Sequence, residues 1–419
     1  MSIQSSIAAL ERLARRLRTA RRLRGGNGPC GQLGLALAFA ISASSNVAGQ
    51  EAVKIGFLST FTGPNAILGR ELRDGFNLAI KLEGGKLGGV PVQVVIADDQ
   101  QQPDLGRQAV EKLIERDRAQ VITGVAFGNV MLAVARPIVD NDAFFIGVNA
   151  GNREFAGSQC NKNFFFASWQ TENAPEAIGQ YAQQNGYKRV YLMAPDYTSG
   201  KEMIEGFKRF YKGQIAGEVY TPLSQMDFAA ELAKVRETKP DALYIFYPGG
   251  LGVNFLKQFA AAGLSGVIPL LGPSYSFDQT ILPAVADAAV GAKYGTFWGE
   301  DLDNKANKEF VAAYRAEYGR SPSPYSAQAY DGARLIASAL KATGGNVRDK
   351  ERFRAALHQA SFESVRGPFS FNRNNFPIQD WYWGEIVKDQ EGKPAMQIRG
   401  KVFTKHQDAY VDNCKMKSN

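Results

Sequence analysis

The sequence predicts an α/β protein built as two doubly wound, parallel-sheet lobes joined by a multi-strand hinge. Three observations carry this. Short β-rich apolar runs alternate with amphipathic stretches of helical length, the pattern of repeated βαβ units. The alternation runs from residue 53 to about 165, then restarts near 170 and ends near 297. The chain has 419 residues, too many for one ordinary domain and comfortable for two.

The elements follow in order. Residues 53–59 read as a buried strand. Residues 66–84 read as a helix, with Leu72, Phe76, Ala79 and Leu82 at helical spacing. Strands are predicted at 90–96, 120–123 and 143–148, with helices at 104–118 and 130–141 between them. The second series predicts helices at 173–185, 200–212, 227–238 and 251–262. Its strands are at 189–194, 214–220, 242–246 and 267–271. A third block, 304–358, is mostly helical, with helices at 307–318 and 325–342. Strands at 367–371 and 382–387 follow. A carboxyl-terminal region that returns to both halves divides the chain into 50–168 with about 300–361, and 169–299 with about 362–419. Ligands of open α/β sheets bind beyond the carboxyl ends of the strands, so two facing sheets imply a cleft that closes.

The charge is local. Of the formal +8, residues 1–49 hold +6, from seven Arg against Glu11, which leaves +2 for the rest. A nearly neutral body lacks the electrostatic footprint of a nucleic-acid binder. The first 49 residues order an Arg-rich stretch, the apolar run Leu33–Ala43 and small residues ending at Gly49. This is the order of a cleaved secretory signal peptide, and the run is too short to span a bilayer. Its removal leaves Cys160 and Cys414. In an oxidising compartment the expectation is a Cys160–Cys414 disulfide that ties the tail back to the body, with two buried thiols as the alternative.

Catalytic machinery is not visible. His358 and His406 share no motif with a Ser or Cys, and no HExxH, CxxC, GxSxG or P-loop occurs. The turn 248–252, PGGLG, lacks the Lys of a phosphate loop and reads as a strand-to-helix turn. Asp98 and Asp99 read as a capped, solvated strand end in preference to a metal pair.

The run 53–64, VKIGFLSTFTGP, with Gly69 and Gly75, resembles the opening of branched-chain amino-acid-type binding proteins. The segments 98–103 DDQQQP, 121–124 VITG, 240–244 PDALY, 260–264 AAAGL, 329–332 AYDG and 367–371 GPFSF fit the same template in order. The resemblance covers nearly all of 53–390 and implies the type I periplasmic binding fold. It implies a periplasmic solute receptor without cofactor, acting as a monomer with the permease and ATPase subunits of an ABC importer.

It also implies a ligand site. The carboxylate of the ligand is expected at the helix start holding Gly128 and Asn129, and at the loop Asn149, Ala150, Gly151. Tyr197 and Ser199 stand where the second lobe contributes. Ser274 occupies the place of the acid that pairs an amino acid's ammonium, with Asp278 four residues on. A buried ammonium without a carboxylate is costly, so the implied ligand is a carboxylate without an α-amino group. Leu68, Phe127, Tyr197, Tyr247, Tyr275 and Phe277 are the expected walls, and aromatic walls favour a flat ring. The pattern resembles the subgroup linked to aromatic acids such as benzoates. A branched-chain amino-acid receptor and a periplasmic sensing module are the alternatives. Amino-terminal sequencing of protein recovered from the periplasm should begin near Gln50; an intact Met1 there would overturn the signal-peptide reading.

Overall fold

A computed structural model describes residues 51–416, so the signal-peptide reading of 1–49 lies outside the described residues. The strands are β1 (Val53–Ser59), β2 (Lys86–Leu87), β3 (Val90–Asp98), β4 (Val121–Thr123), β5 (Phe144–Gly147), β6 (Phe164–Phe166) and β7 (Arg189–Pro195). They continue as β8 (Gln214–Thr221), β9 (Ala242–Ile245), β10 (Leu270–Pro273), β11 (Lys293–Thr296), β12 (Phe369–Phe371), β13 (Pro377–Lys388) and β14 (Pro394–His406). The helices are α1 (Ala66–Leu82), α2 (Pro103–Glu115), α3 (Gly128–Asp140), α4 (Arg153–Ala156), α5 (Asn173–Gln184) and α6 (Thr198–Phe210). After them come α7 (Ala229–Thr238), α8 (Gly249–Ala261), α9 (Leu282–Val285), α10 (Lys305–Tyr318), α11 (Pro324–Thr343) and α12 (Lys350–Gln359).

The strands form two sheets. The first has the order β2-β3-β1-β4-β5-β6 and the second β12-β13-β11-β10-β9-β7-β8, with β14 on β13. Pairing is parallel from β3 to β6 and from β8 to β11; β2, β12, β13 and β14 add antiparallel edges. Strands β4, β5 and β6 are wholly buried. Such strands read as continuous apolar runs because helices cover both faces. The doubly wound α/β architecture read from the sequence is the one observed.

Three differences from the sequence reading have physical reasons. The strand expected at 267–271 lies at Leu270–Pro273, because Val267 is 70% exposed in the loop before it. Strand β14 escaped notice because its residues alternate between half-buried and exposed, the weak pattern of an edge strand. Asp99 is not solvated. It is fully buried, and its Oδ1 accepts from Thr60 Oγ1 at 2.5 Å and from the Gln101 N–H at 2.8 Å. Asp98 accepts from the Phe61 N–H, Thr62 Oγ1 and the Gln100 N–H. The pair is a turn device that fixes the ends of β1 and β3.

The chain passes between the sheets three times: after β6, after β11, and between α12 and β12. Helix α11 lies along α1, where a Cβ on Gly75 would collide with the Ser326 backbone. Cys160 and Cys414 are bonded, with their Cα atoms 5.6 Å apart. The bridge joins the loop before β6 to the tail after β14.

All three passages meet at Arg366. Its guanidinium donates to Asp331 Oδ2 (2.9 Å), the carbonyls of Ser168 (2.8 Å) and Ala167 (2.6 Å), and Gln379 Oε1 (2.9 Å). Phe297 and Phe369 flank it at 4.8 and 5.2 Å. Both Arg366 and Asp331 are excluded from water. Removing one member of a buried, hydrogen-bonded pair leaves the other charge uncompensated. Arg366→Leu should therefore lower the unfolding free energy by ~3–5 kcal/mol in urea titrations; a loss below ~1 kcal/mol would show that the passages hold without it.

Candidate functional site

The loops at the carboxyl ends of β4, β5, β7, β9 and β10 converge between the sheets. From the first side come Leu68 on α1, Ala126 and Phe127 after β4, Asn149 and Ala150 after β5, and Trp169 after β6. From the second come Tyr197, Ser199 and Met203 on and before α6, Phe246 and Pro248 after β9, and Tyr275 after β10. Tyr325, at the start of α11, completes the wall. The space enclosed is small, about 20 Å³, room for little more than one water. A larger open groove of about 760 Å³ lies around Lys54, Gln120 and Asn346. It sits at the amino ends of the strands, the wrong end for a ligand of open α/β sheets.

The walls are aromatic. Trp169 and Tyr275 have ring centroids 5.0 Å apart, Tyr275 and Tyr325 5.2 Å, and Phe127 and Tyr197 6.3 Å. Among the described residues, no lysine, arginine or histidine lines the cavity. Positive potential comes from the backbone. Helices α3, α6 and α8 begin at this cavity, and their N-cap residues, Phe127, Tyr197 and Pro248, supply no side-chain cap. The first N–H groups of a helix lack intrahelical partners and carry its partial positive charge, which makes such an end suited to an anion.

The residues expected at the site divide into three groups. Leu68, Phe127, Asn149, Ala150, Tyr197, Ser199 and Tyr275 line the cavity. Gly128, Asn129, Gly151 and Ser274 lie beside it. A Cβ on Gly128 would stand 2.5 Å from Ser199 Oγ, so this glycine lets α3 meet α6 across the cleft. A Cβ on Gly151 would strike the Trp169 carbonyl. Asn129 Oδ1 and Ser274 Oγ are buried without hydrogen-bond partners. Tyr247 does not belong to the site, nor does Phe277. Tyr247 is fully buried on the far face of the second sheet, packed on Phe228 and Phe255, its hydroxyl 3.1 Å from Thr221 Oγ1. Successive residues leaving β9 point to opposite faces, so Phe246 takes the cavity and Tyr247 the core. Trp169, Met203, Phe246 and Tyr325 were missed. Their apolar identity matches ordinary core, and only the meeting of the two sheets separates them from it.

Two buried carboxyls border the cleft. Burial raises Asp278 to about 7; its Oδ1 accepts from Thr280, while Oδ2 has no partner. Burial raises Glu202, on α6, to about 8. Its Oε1 accepts from the Arg153 N–H at 3.1 Å, so α4 of the first side reaches α6 of the second. Arg153 also meets Glu172 at 2.8 Å, and Glu172 in turn takes Arg209 and Tyr410. His406 pairs with Glu176 at 2.6 Å and stacks on Phe403, a structural role.

The family model for periplasmic binding proteins matches residues 52–392. The chain belongs to this family. Members are solute-binding proteins of transport systems. The periplasmic binding protein is 26% identical over 364 residues to Leu/Ile/Val-binding protein homolog 6 of Brucella melitensis, covering 84% of this chain and 92% of the relative. It is 31% identical to the solute-binding protein of an R. palustris ABC transporter solved with benzoate, with a TM-score of 0.82 over 87% of this chain and 100% of the other. A second such protein, from Rhodopseudomonas palustris BisB5 with 3,4-dihydroxybenzoic acid, is 30% identical, with a TM-score of 0.79 over 85% of this chain and 99% of the other. A leucine-binding protein of Thermotoga maritima shares the fold at 21% identity and a TM-score of 0.74, over 84% and 99% of the two chains.

Glu202 gives the periplasmic binding protein a pH signature. Its folded-state value lies above the ordinary 4.5, so folding favours its protonated form. Stability from this group is fully present below pH ~4.5 and is lost as pH rises toward ~8. Glu202→Gln should remove that loss: its stability relative to the native protein should rise by roughly 3–5 kcal/mol between pH 5 and pH 8 in urea unfolding. A difference independent of pH would overturn the assignment.

Proposed function

We propose that this protein is the periplasmic receptor of an ABC importer, acting as a monomer, and that its ligand is an aromatic carboxylate. On this reading the lobes, 50–168 with about 300–361 and 169–299 with about 362–419, part to admit the acid and close on it. Permease and ATPase subunits then accept the closed form. The observation that carries the ligand class is the meeting of three uncapped helix starts with aromatic walls and no lining cation. A carboxylate suits the backbone N–H groups, and Phe127, Trp169, Tyr197 and Tyr275 suit a ring. The benzoate and dihydroxybenzoate complexes of the two R. palustris relatives support it.

Leucine and valine fare worse. Ser274 offers a hydroxyl where an ammonium needs a carboxylate. The lost charge-assisted bond is worth about 1.5–3 kcal/mol, before the cost of burying the charge. Titration calorimetry should show a benzoate-like acid binding at least about tenfold more tightly than leucine. Tight leucine binding with no response to aromatic acids would refute the reading and point to Asp278 as the ammonium partner.

A further inference from the structure

Glu202 on α6 is buried, and its Oε2 has no hydrogen-bond partner among the described residues. It stands at the margin of the cavity, between Ser199 and Met203 in sequence, both of which line it. Much of what bears on it comes from the other side of the cleft. Helix α4 of the first side supplies the Arg153 N–H, which donates to Oε1 at 3.1 Å, the Arg153 guanidinium, 3.5 Å from the same oxygen, and the charge of Glu154. Glu154 Oε2 is also buried without a partner among the described residues. Buried polar atoms are ordinarily paired, and each exception calls for an explanation. On its own side Glu202 meets the charge of Glu172, just before α5, and bears on Tyr197 at the start of α6. The nearby cations are engaged elsewhere. Arg153 lies closer to Glu172, at 2.8 Å, and Arg209 holds Glu172 and Glu176. Tyr410 donates to Glu172, and His406 pairs with Glu176. Asp408, beyond Glu176, is held by Asn374 and the Tyr410 N–H. Four glutamates thus share two guanidiniums and one imidazole, and Glu154 and Glu202 are the two without a short ion pair.

We propose that Glu202, with Glu154 set against it across the gap, is a proton-binding site that fills as the cleft closes, so that ligand capture takes up a proton and tightens in a more acidic medium. The inference rests on the reading that the two sides part and close, and not on the chemistry of the ligand. Burial raises Glu202 to about 8, and the charges of Glu154 and Glu172 add to the rise. Parting the sides withdraws α4 from Glu202 and admits water, which returns a carboxyl toward its ordinary range. A closed form that binds the proton more tightly is favoured at low pH, and the advantage is lost as pH rises toward ~8. Asp278, also raised by burial, lies on the loop after β10 and is not among the groups acting on Glu202. Its contribution is common to the native protein and to a variant at position 202.

The test is titration calorimetry of the mature protein with benzoate and, separately, with leucine, from about pH 6 to about pH 8.5. Near pH 7 each titration is repeated in two buffers of different ionisation heat, so that the difference counts protons. For the probe that binds, we expect uptake of more than about half a proton and an affinity at least about tenfold tighter at the acid end of the range. Glu202→Gln carries the neutral form at every pH. It should lose most of the uptake and of the pH dependence, yet bind the probe at the alkaline end at least as tightly as the native protein; a merely structural role would weaken binding throughout. Glu154→Gln, at the less buried of the two, should lower the uptake as well, and circular dichroism reports whether each variant is folded. No uptake by the native protein, or uptake that survives in both folded variants, would overturn the proton site. If neither probe binds, the ligand readings fail on their own, and small-angle X-ray scattering of the ligand-free protein decides. A radius of gyration smaller at the acid end supports the site, and one independent of pH overturns it.

Discussion

Arg366 holds the molecule together at the point where it must also bend. A guanidinium presents several donors in a fixed planar fork. Here the fork reaches acceptors from the first passage and from both sides: Ala167 and Ser168 of that passage, Asp331 on α11, and Gln379 on β13. Phe297 of the second passage stacks on it. A lysine offers one compact charge and could not satisfy this set. Asp331 is similarly saturated, by Arg366, Ser364 Oγ and the Val365 N–H. The passages are thus fixed relative to one another, and any opening of the cleft pivots on segments whose ends are pinned.

The contact between the two sides depends on small residues. Gly128 approaches Ser199, and a Cβ on Gly249 would stand 2.8 Å from Leu68 Cδ1 and 3.0 Å from Asn65 Oδ1. Gly249 also has φ +57°, a conformation that costs glycine little. A Cβ on Gly250 would lie 2.9 Å from the Pro64 carbonyl. These glycines bring helix starts from both sides to one cavity without a side chain between them. Burial holds both Glu202 and Asp278 above the ordinary carboxylate range.

The sequence resolved the strand–helix alternation because buried parallel strands read as short continuous apolar runs, whereas amphipathic helices repeat their apolar residues every three to four positions. Val53–Ser59 and Ala66–Leu82 show the contrast directly. It resolved less where the pattern is shallow, as in β14, or where a loop is apolar, as around Val267. The site was legible in part. The family resemblance, carried over loop by loop, pointed to Phe127, Asn149, Tyr197 and Tyr275. The same logic placed Tyr247 wrongly, because one residue decides which face a side chain takes at a strand end. Trp169 and Tyr325 gave no local signal.

By itself, then, the sequence determined the doubly wound architecture, the neutral body and the absence of an acid at position 274. Each of these is a property of local pattern or of composition. Tertiary structure alone decided that Asp99 is buried and Tyr247 is core. It bore out the expected Cys160–Cys414 bridge across 254 residues, and it alone decided that Tyr275 is buried against Trp169 and Tyr325. The reason is physical. Burial, pairing and hydrogen-bond satisfaction are set by what another part of the chain brings within a few ångströms, and no window of sequence contains that information.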